Sequence, residues 1–149
     1  MRAVLQRVHQ ASVSVQGSVI AEIGRGLLVF LGIASDDSEK DLTYLVSKII
    51  NLRAFEDHQG KMNLSLQETG SSLLVVSQFT LYADCRKGRR PSFSEAARPE
   101  QALAWYTRFI ELLRAEELTV KNGAFQKMMD IALVNDGPIT FLLDSRRLF

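Results

Sequence analysis

Two runs in the chain, Leu27-Leu-Val-Phe-Leu-Gly-Ile33 and Leu73-Leu-Val-Val-Ser-Gln-Phe79, are apolar with almost no alternation. Successive side chains of a strand point to opposite faces, so a strand wetted on one side alternates apolar and polar residues. A run that does not alternate must be covered on both faces. The other elements can be read around these two buried strands. Ala3–Val8 is a short apolar-rich run, and Ser12-Val-Ser-Val-Gln16 alternates strictly before Gly17-Ser18, which suits a hairpin turn. Leu42, Leu45, Val46, Ile49 and Ile50 recur at helical spacing, with Ser38 and Asp41 placed as a capping box. A second helix opens at Pro99, a residue suited to a first turn, and carries the stripe Ala102, Trp105, Tyr106, Phe109, Ile110 and Leu113, read as plain core. Asp130–Val134 and Ile139–Leu143 flank Asn135-Asp-Gly-Pro138. Many strands interrupted by two main helices predict a mixed α/β fold with a curved or doubled sheet. There is no repeat, low-complexity tract or Gly/Ser/Pro-rich linker, so residues 1–149 are expected to form a single domain, with 144–149 as a peripheral tail.

The composition excludes several function classes. Basic and acidic residues number 18 and 17, which argues against a protein that coats nucleic acid but not against one that visits a single RNA end. No apolar run is long enough to span a bilayer, the first residues do not form a signal peptide, and Cys85 is the lone cysteine; these features predict a cytoplasmic protein. His9, His58 and Cys85 match no zinc spacing, and no Gly-rich phosphate loop is present. Both histidines read as surface or edge residues, and Cys85 as incidental.

Two segments stand apart. In Ser77-Gln-Phe-Thr-Leu-Tyr-Ala-Asp84, polar side chains gather where a buried strand ends; on residue types alone this is a strand fraying into a loop. Asn135-Asp-Gly-Pro-Ile-Thr140 reads locally as a simple β-turn.

Together they resemble the D-aminoacyl-tRNA deacylase family. Its Ser-Gln-x-Thr signature is found as Ser77-Gln78-Phe79-Thr80, and its Asn-x-Gly-Pro-[Val/Ile]-Thr signature as Asn135-Asp136-Gly137-Pro138-Ile139-Thr140. Gln6-Arg7-Val8, Lys61-Met-Asn-Leu64 and Arg90-Pro-Ser-Phe93 are also similar to family sequence, so the likeness runs from Met1 to about Leu143. One stretch departs: the family's Phe-Gly-Ala-x-Met is here Phe125-Gln126-Lys127-Met128-Met129, which puts the shape of the terminal-adenosine pocket in question.

The resemblance implies the deacylase fold and hydrolysis of the ester of D-aminoacyl-tRNA, without metal or cofactor. It implies a homodimer in which a cis Gly137–Pro138 segment reaches across the interface into the partner's site. The main chain there would reject L-aminoacyl groups sterically and let glycine through, so that glycyl-tRNA(Ala) is also cleared. Thr80 is the candidate for positioning water or acting as nucleophile; no general base beside it can be named. The amides around Phe79 and Thr80 would hold an oxyanion, with Ser77 and Gln78 organising the pocket. Asn135, Gly137, Pro138, Phe125 and Met129 would bind substrate, and Arg7 would hold the Gly-Pro segment in place. The basic run Arg86-Lys-Gly-Arg-Arg90 is a candidate contact for acceptor-end phosphates. The alternatives are an esterase or amidase for small acyl compounds and a non-catalytic nucleic-acid-binding module.

Overall fold

The computed structural model describes residues 1–148. The two N-terminal strand segments fuse into one 14-residue strand, β1 (Arg2–Val15). It turns through Gln16 and Gly17, both with positive φ (50° and 79°), into β2 (Ser18–Ile23). A two-residue hairpin loop with both φ values positive matches the right-handed twist of its strands. The turn thus lies one residue earlier than the Gly17-Ser18 pattern suggested. β3 (Gly26–Gly32) returns antiparallel to β1.

The helix α1 (Glu39–Asn51) follows, then the small hairpin β4 (Phe55–Glu56) and β5 (Met62–Leu64). A single-turn helix, α2 (Leu66–Thr69), is closed by Ser65 and Glu68 as a capping box. Four residues are too few to show a periodic stripe, and the sequence reading did not include it. β6 (Ser72–Ser77) lies parallel to β3 and ends in a 3-10 turn, Phe79–Tyr82. Gln78 and Phe79, read as strand from the apolar run, have therefore already left it. α3 (Pro99–Ala115) leads to β7 (Val120–Asn122), parallel to β6, and the chain closes with β8 (Asp130–Asp144), antiparallel to β1.

The sheet order is β2-β1-β3-β6-β7, with β8 paired to β1, and the sheet curls until β2 lies against β6 and β7. This curl is the physical reason the two central runs do not alternate. Leu27, Val29, Leu31, Leu73 and Val75 face a core completed by α1 and α3, including Leu45, Ile49, Phe109 and Leu113. Leu28, Leu74 and Val76 face the opposite way, into a second core with Val8, Val13, Ala21 and Ile23. The result is the expected mixed α/β fold with a curved sheet and two main helices. Trp105 packs, partly buried, against the larger core.

Two expectations change. Asn135-Asp-Gly-Pro138 is not a turn between two strands; it lies within the single 15-residue strand β8. The segment expected to be a peripheral tail starts tied into the fold. Asp144 is buried and pairs with Arg2 at 3.0 Å, and Ser145 Oγ accepts from the Met1 amine at 2.6 Å. Its last residue, Phe149, lies outside the described residues.

Candidate active site

The site builds on the C-terminal end of β6. Leu31 pairs with Ser77, and the Gln78 amide donates to the Leu31 carbonyl at 2.8 Å, the last rung before the chain turns away. Gly32 permits the turn. A Cβ there would stand 2.9 Å from Leu81 Cβ and 3.1 Å from the Gln78 carbonyl oxygen, so the 3-10 turn packs directly on bare backbone. The Leu81 amide donates to the Gln78 carbonyl and the Ala83 amide to the Thr80 carbonyl.

The amides that open such a turn have no acceptor inside it. Among the described residues, neither the Phe79 nor the Thr80 amide has a main-chain or side-chain acceptor. Both residues are exposed. Gln78 Nε2 donates to Thr80 Oγ1, and among the described residues no carboxylate or imidazole bonds to that hydroxyl. The Phe79 ring meets Phe93 edge-on, with centroids 5.0 Å apart. Tyr82 closes the turn beneath Arg2, whose guanidinium carbon lies 4.5 Å from the ring centroid; burial pushes the Tyr82 hydroxyl's pKa well up, keeping it protonated.

The second constellation lies on β1 and β8. Gln6 pairs with Thr140 and Val8 with Asn135, so Asp136–Ile139 are looped out of the ladder. Asn135 Nδ2 staples the loop, donating to the Arg7 carbonyl at 2.7 Å and the Ile139 carbonyl at 3.2 Å. Thr140 Oγ1 donates to Gln6 Oε1 at 2.6 Å. The Gly137–Pro138 peptide is cis, Gly137 has φ +120°, and both residues are exposed.

Arg7, only 3% exposed, lies beneath. Its guanidinium donates to the Ala54 carbonyl at 2.9 Å and to Glu56 at 3.3 Å, while Nε lies 2.9 Å from the Asp136 carboxylate. That Nε–H is not aimed at an acceptor, so the contact with Asp136 is ionic attraction without a well-formed hydrogen bond. The pairing of Val8 with Asn135 and then Gln10 with Val134 leaves His9 bulged out of β1, with Nε2 3.5 Å from Asp136. Asp136 and His9 were not among the sequence candidates. A variable position within a motif and an edge histidine carry no signal until the bulge brings them together.

Phe125 and Met129 lie on the segment between β7 and β8. Phe125 packs on Tyr106 at 5.8 Å. The bare face of Gly123 looks onto both Met129 and Val76: a Cβ there would stand 2.9 Å from the Met129 sulfur and 3.6 Å from Val76. Met129 is thereby packed beside the residue preceding Ser77. Gln126 and Lys127 are exposed, and Gln126 takes a left-handed φ of 58°.

The structure thus gathers Ser77, Gln78, Phe79 and Thr80 on one turn, and Arg7, Asn135, Gly137 and Pro138 on one bulge. Among the described residues, no hydrogen bond or ion pair joins the two groups within the chain. Among the described residues, no group of three or more His, Cys, Asp or Glu side chains gathers in metal-binding geometry, and no helix is long and apolar enough to cross a membrane.

Comparisons with known proteins find relatives along the whole chain. Two curated relatives named D-aminoacyl-tRNA deacylase are similar over their whole length and that of this chain. One, from Syntrophobacter fumaroxidans, is 56% identical over 149 residues; the other, from Thermotoga petrophila, is 55% identical over 149 residues. The solved structure of a c-Myc DNA Unwinding Element Binding Protein superposes with a TM-score of 0.91 at 45% identity, covering 97% of this chain and 98% of that one. The family model described as D-Tyr-tRNA(Tyr) deacylase matches residues 4–144, and the chain belongs to that family.

Proposed function

We propose that the protein hydrolyses the ester linking a D-amino acid to the 3′ end of tRNA, releasing the free amino acid and tRNA. The observation that carries this reading is the exposed pair of unengaged amides at Phe79 and Thr80, beside a hydroxyl held by Gln78. Attack on an ester carbonyl places negative charge on its oxygen, and preorganised amides stabilise that charge. One such donor is typically worth about 10²–10³ in rate. Water supplies the oxygen that forms the new bond, and the ribose oxygen departs with a proton. An aminoacyl ester is activated, so orientation and oxyanion stabilisation can carry the reaction. Thr80 serves as a positioning hydroxyl: its oxygen accepts from Gln78, and no neighbouring base takes its proton.

Selection for the D form falls to the main chain of Gly137 and Pro138, presented by a second copy of the chain. Support for assembly comes from exposure. The motif and the Phe79–Thr80 turn are both open to solvent, and β8 exposes Leu133, Val134 and Leu142. A backbone wall beside the α-carbon leaves no room for an L side chain, while a D side chain points outward. This is discrimination by clash and not by added attraction. Glycine has nothing to clash, so glycyl-tRNA(Ala) is also a substrate. Asn135 and Arg7 hold the wall, and Phe125 and Met129 shape the floor near Ser77. The substrate is cytoplasmic, and the enzyme is placed there; the chemistry invokes no metal or cofactor.

The direct test incubates the protein with D- and L-tyrosyl-tRNA and follows release of each amino acid. Rapid loss of the D form alone is expected. Equal rates on both would remove the chiral wall. Comparable hydrolysis of a free D-tyrosine ester would favour a small-acyl esterase, and duplex DNA binding without turnover would favour a binding module.

A further inference from the structure

We infer that the loop from Cys85 to Pro91 is a phosphate-contacting arm for the tRNA acceptor end, with Lys87, Arg89 and Arg90 as its contacts. The inference rests on the deacylase reading and adds the surface that would hold the RNA. Asp84–Ser92 carries four basic side chains and one carboxylate, whereas the whole chain has an excess of a single positive charge. The remainder of the molecule is therefore net acidic, and its positive field is concentrated in this loop.

The loop has a defined base. Asp84 and Ser92 exchange main-chain hydrogen bonds of 2.7 and 2.9 Å, and Gly88 turns the tip with φ +69°. The single carboxylate is already engaged: Asp84 receives Arg86 through Nε and NH2, each at 2.8 Å, and these bonds hold its pKa well below the usual carboxylate range. Lys87, Arg89 and Arg90 are exposed, and among the described residues none lies within ion-pair distance of a carboxylate. The groove of about 670 Å³ beside the loop also contains Arg2 and Arg146, but these are paired with Asp144 and Asp36. The loop itself carries three basic side chains with no carboxylate partner among the described residues, clustered within four positions.

Position supplies the second argument. The loop's base begins four residues after Thr80, and a chain extends at most about 3.6 Å per residue, so Asp84 lies within about 15 Å of Thr80. Beyond the base, the Phe93 ring packs on Phe79, beside the open amides. A polyanion whose 3′ end enters at Thr80 therefore passes within reach of three free cations. Phosphate contacts of this kind supply sequence-independent affinity and orientation, and each adds to the salt dependence of binding.

The test uses the full-length protein carrying Lys87→Gln, Arg89→Gln and Arg90→Gln together, with two substrates: D-tyrosyl-tRNA and the D-tyrosyl ester of adenosine. On tRNA, kcat/KM is expected to fall about tenfold or more at low salt. The slope of log kcat/KM against log salt should flatten by about 1 for each lost contact. The rate on the adenosine ester should stay at the wild-type value. A charge-retaining variant, Lys87→Arg with Arg89→Lys and Arg90→Lys, should keep the steep slope, because phosphate contact of this kind needs only a point charge. An unchanged tRNA slope, or equal loss on both substrates, overturns the inference. A wild-type protein that cleaves neither substrate overturns the deacylase reading instead.

Discussion

The Arg7 guanidinium lies 2.9 Å from the Asp136 carboxylate, joining the buried side of β1 to the residue that precedes Gly137. It also binds the Ala54 carbonyl and Glu56, so one side chain ties three segments together beneath the Gly-Pro loop. Replacing Arg7 with Ala strands these partners and should destabilise the fold by about 3 kcal/mol, read from the urea midpoint. Asp136→Asn leaves the other two contacts in place. It should cost less stability and show chiefly as weaker D-over-L discrimination, measured on paired tyrosyl-tRNAs.

Gly32→Ala tests whether the site depends on close approach of the backbone. The new methyl group would meet Leu81 and the Gln78 carbonyl, lifting the turn that carries Thr80. A loss of about 1–3 kcal/mol is expected, together with reduced kcat. Gly24→Ala, which meets nothing within 4 Å, is the control and should change neither.

The role of Thr80 separates on two substitutions. Thr80→Ser preserves the oxygen that accepts from Gln78 and should keep most of the activity. Thr80→Ala should lower kcat by about 10²-fold, the scale of one lost polar contact to a transition state. Rapid-mixing experiments should show no burst of released tRNA, since a positioning hydroxyl forms no acyl-enzyme. A burst would assign Thr80 as nucleophile.

Gln126 occupies a left-handed conformation at φ 58°, where the family pattern places glycine. A side chain in that region costs about 1–2 kcal/mol relative to glycine. Gln126→Gly should therefore raise the unfolding free energy by about 1 kcal/mol, read as a higher urea midpoint at an unchanged m-value. The opposite sign would mean that the Gln126 side chain makes compensating contacts.

Asp41 gives an acid-sensitive element. Burial pushes its carboxyl up, but hydrogen bonds from Ser38 and Ser145 outweigh that effect and hold the pKa at about 2. An unfolded aspartate titrates near pH 3.9. A folded value below the unfolded one means that the stabilisation is complete above about pH 4 and is lost as pH falls toward 2. Asp41→Asn should be less stable at neutral pH and show a flatter decline across that window, compared by urea titration at several pH values.

Much of this was legible in local pattern. The apolar stripes from Leu42 to Ile50 and from Ala102 to Leu113 became α1 and α3, because a helix face has a fixed period that one sequence displays. The unalternating Leu27–Ile33 run announced burial on both faces, and the two motifs marked the residues of both site constellations. What local pattern lacks is partnership at a distance. Asn-Asp-Gly-Pro reads as a turn because nothing nearby shows that Asn135 will reach the Arg7 carbonyl 128 positions away. Asp144 reads as tail because its partner, Arg2, is at the other end of the chain.

The residues alone determined α1, α3 and the main strand runs, the two-sided burial of the central strands and the chemistry present at Ser77–Thr80 and Asn135–Thr140. Propensity, period and residue type act over a few positions and need no knowledge of the rest. Only the tertiary structure decided that β8 follows β1 on both sides of the Asp136–Ile139 bulge, that His9 and Asp136 meet over Arg7, and that the Phe79 and Thr80 amides stay open. Each of these outcomes depends on sheet curvature and long-range register, which arise when distant segments compete for the same partners.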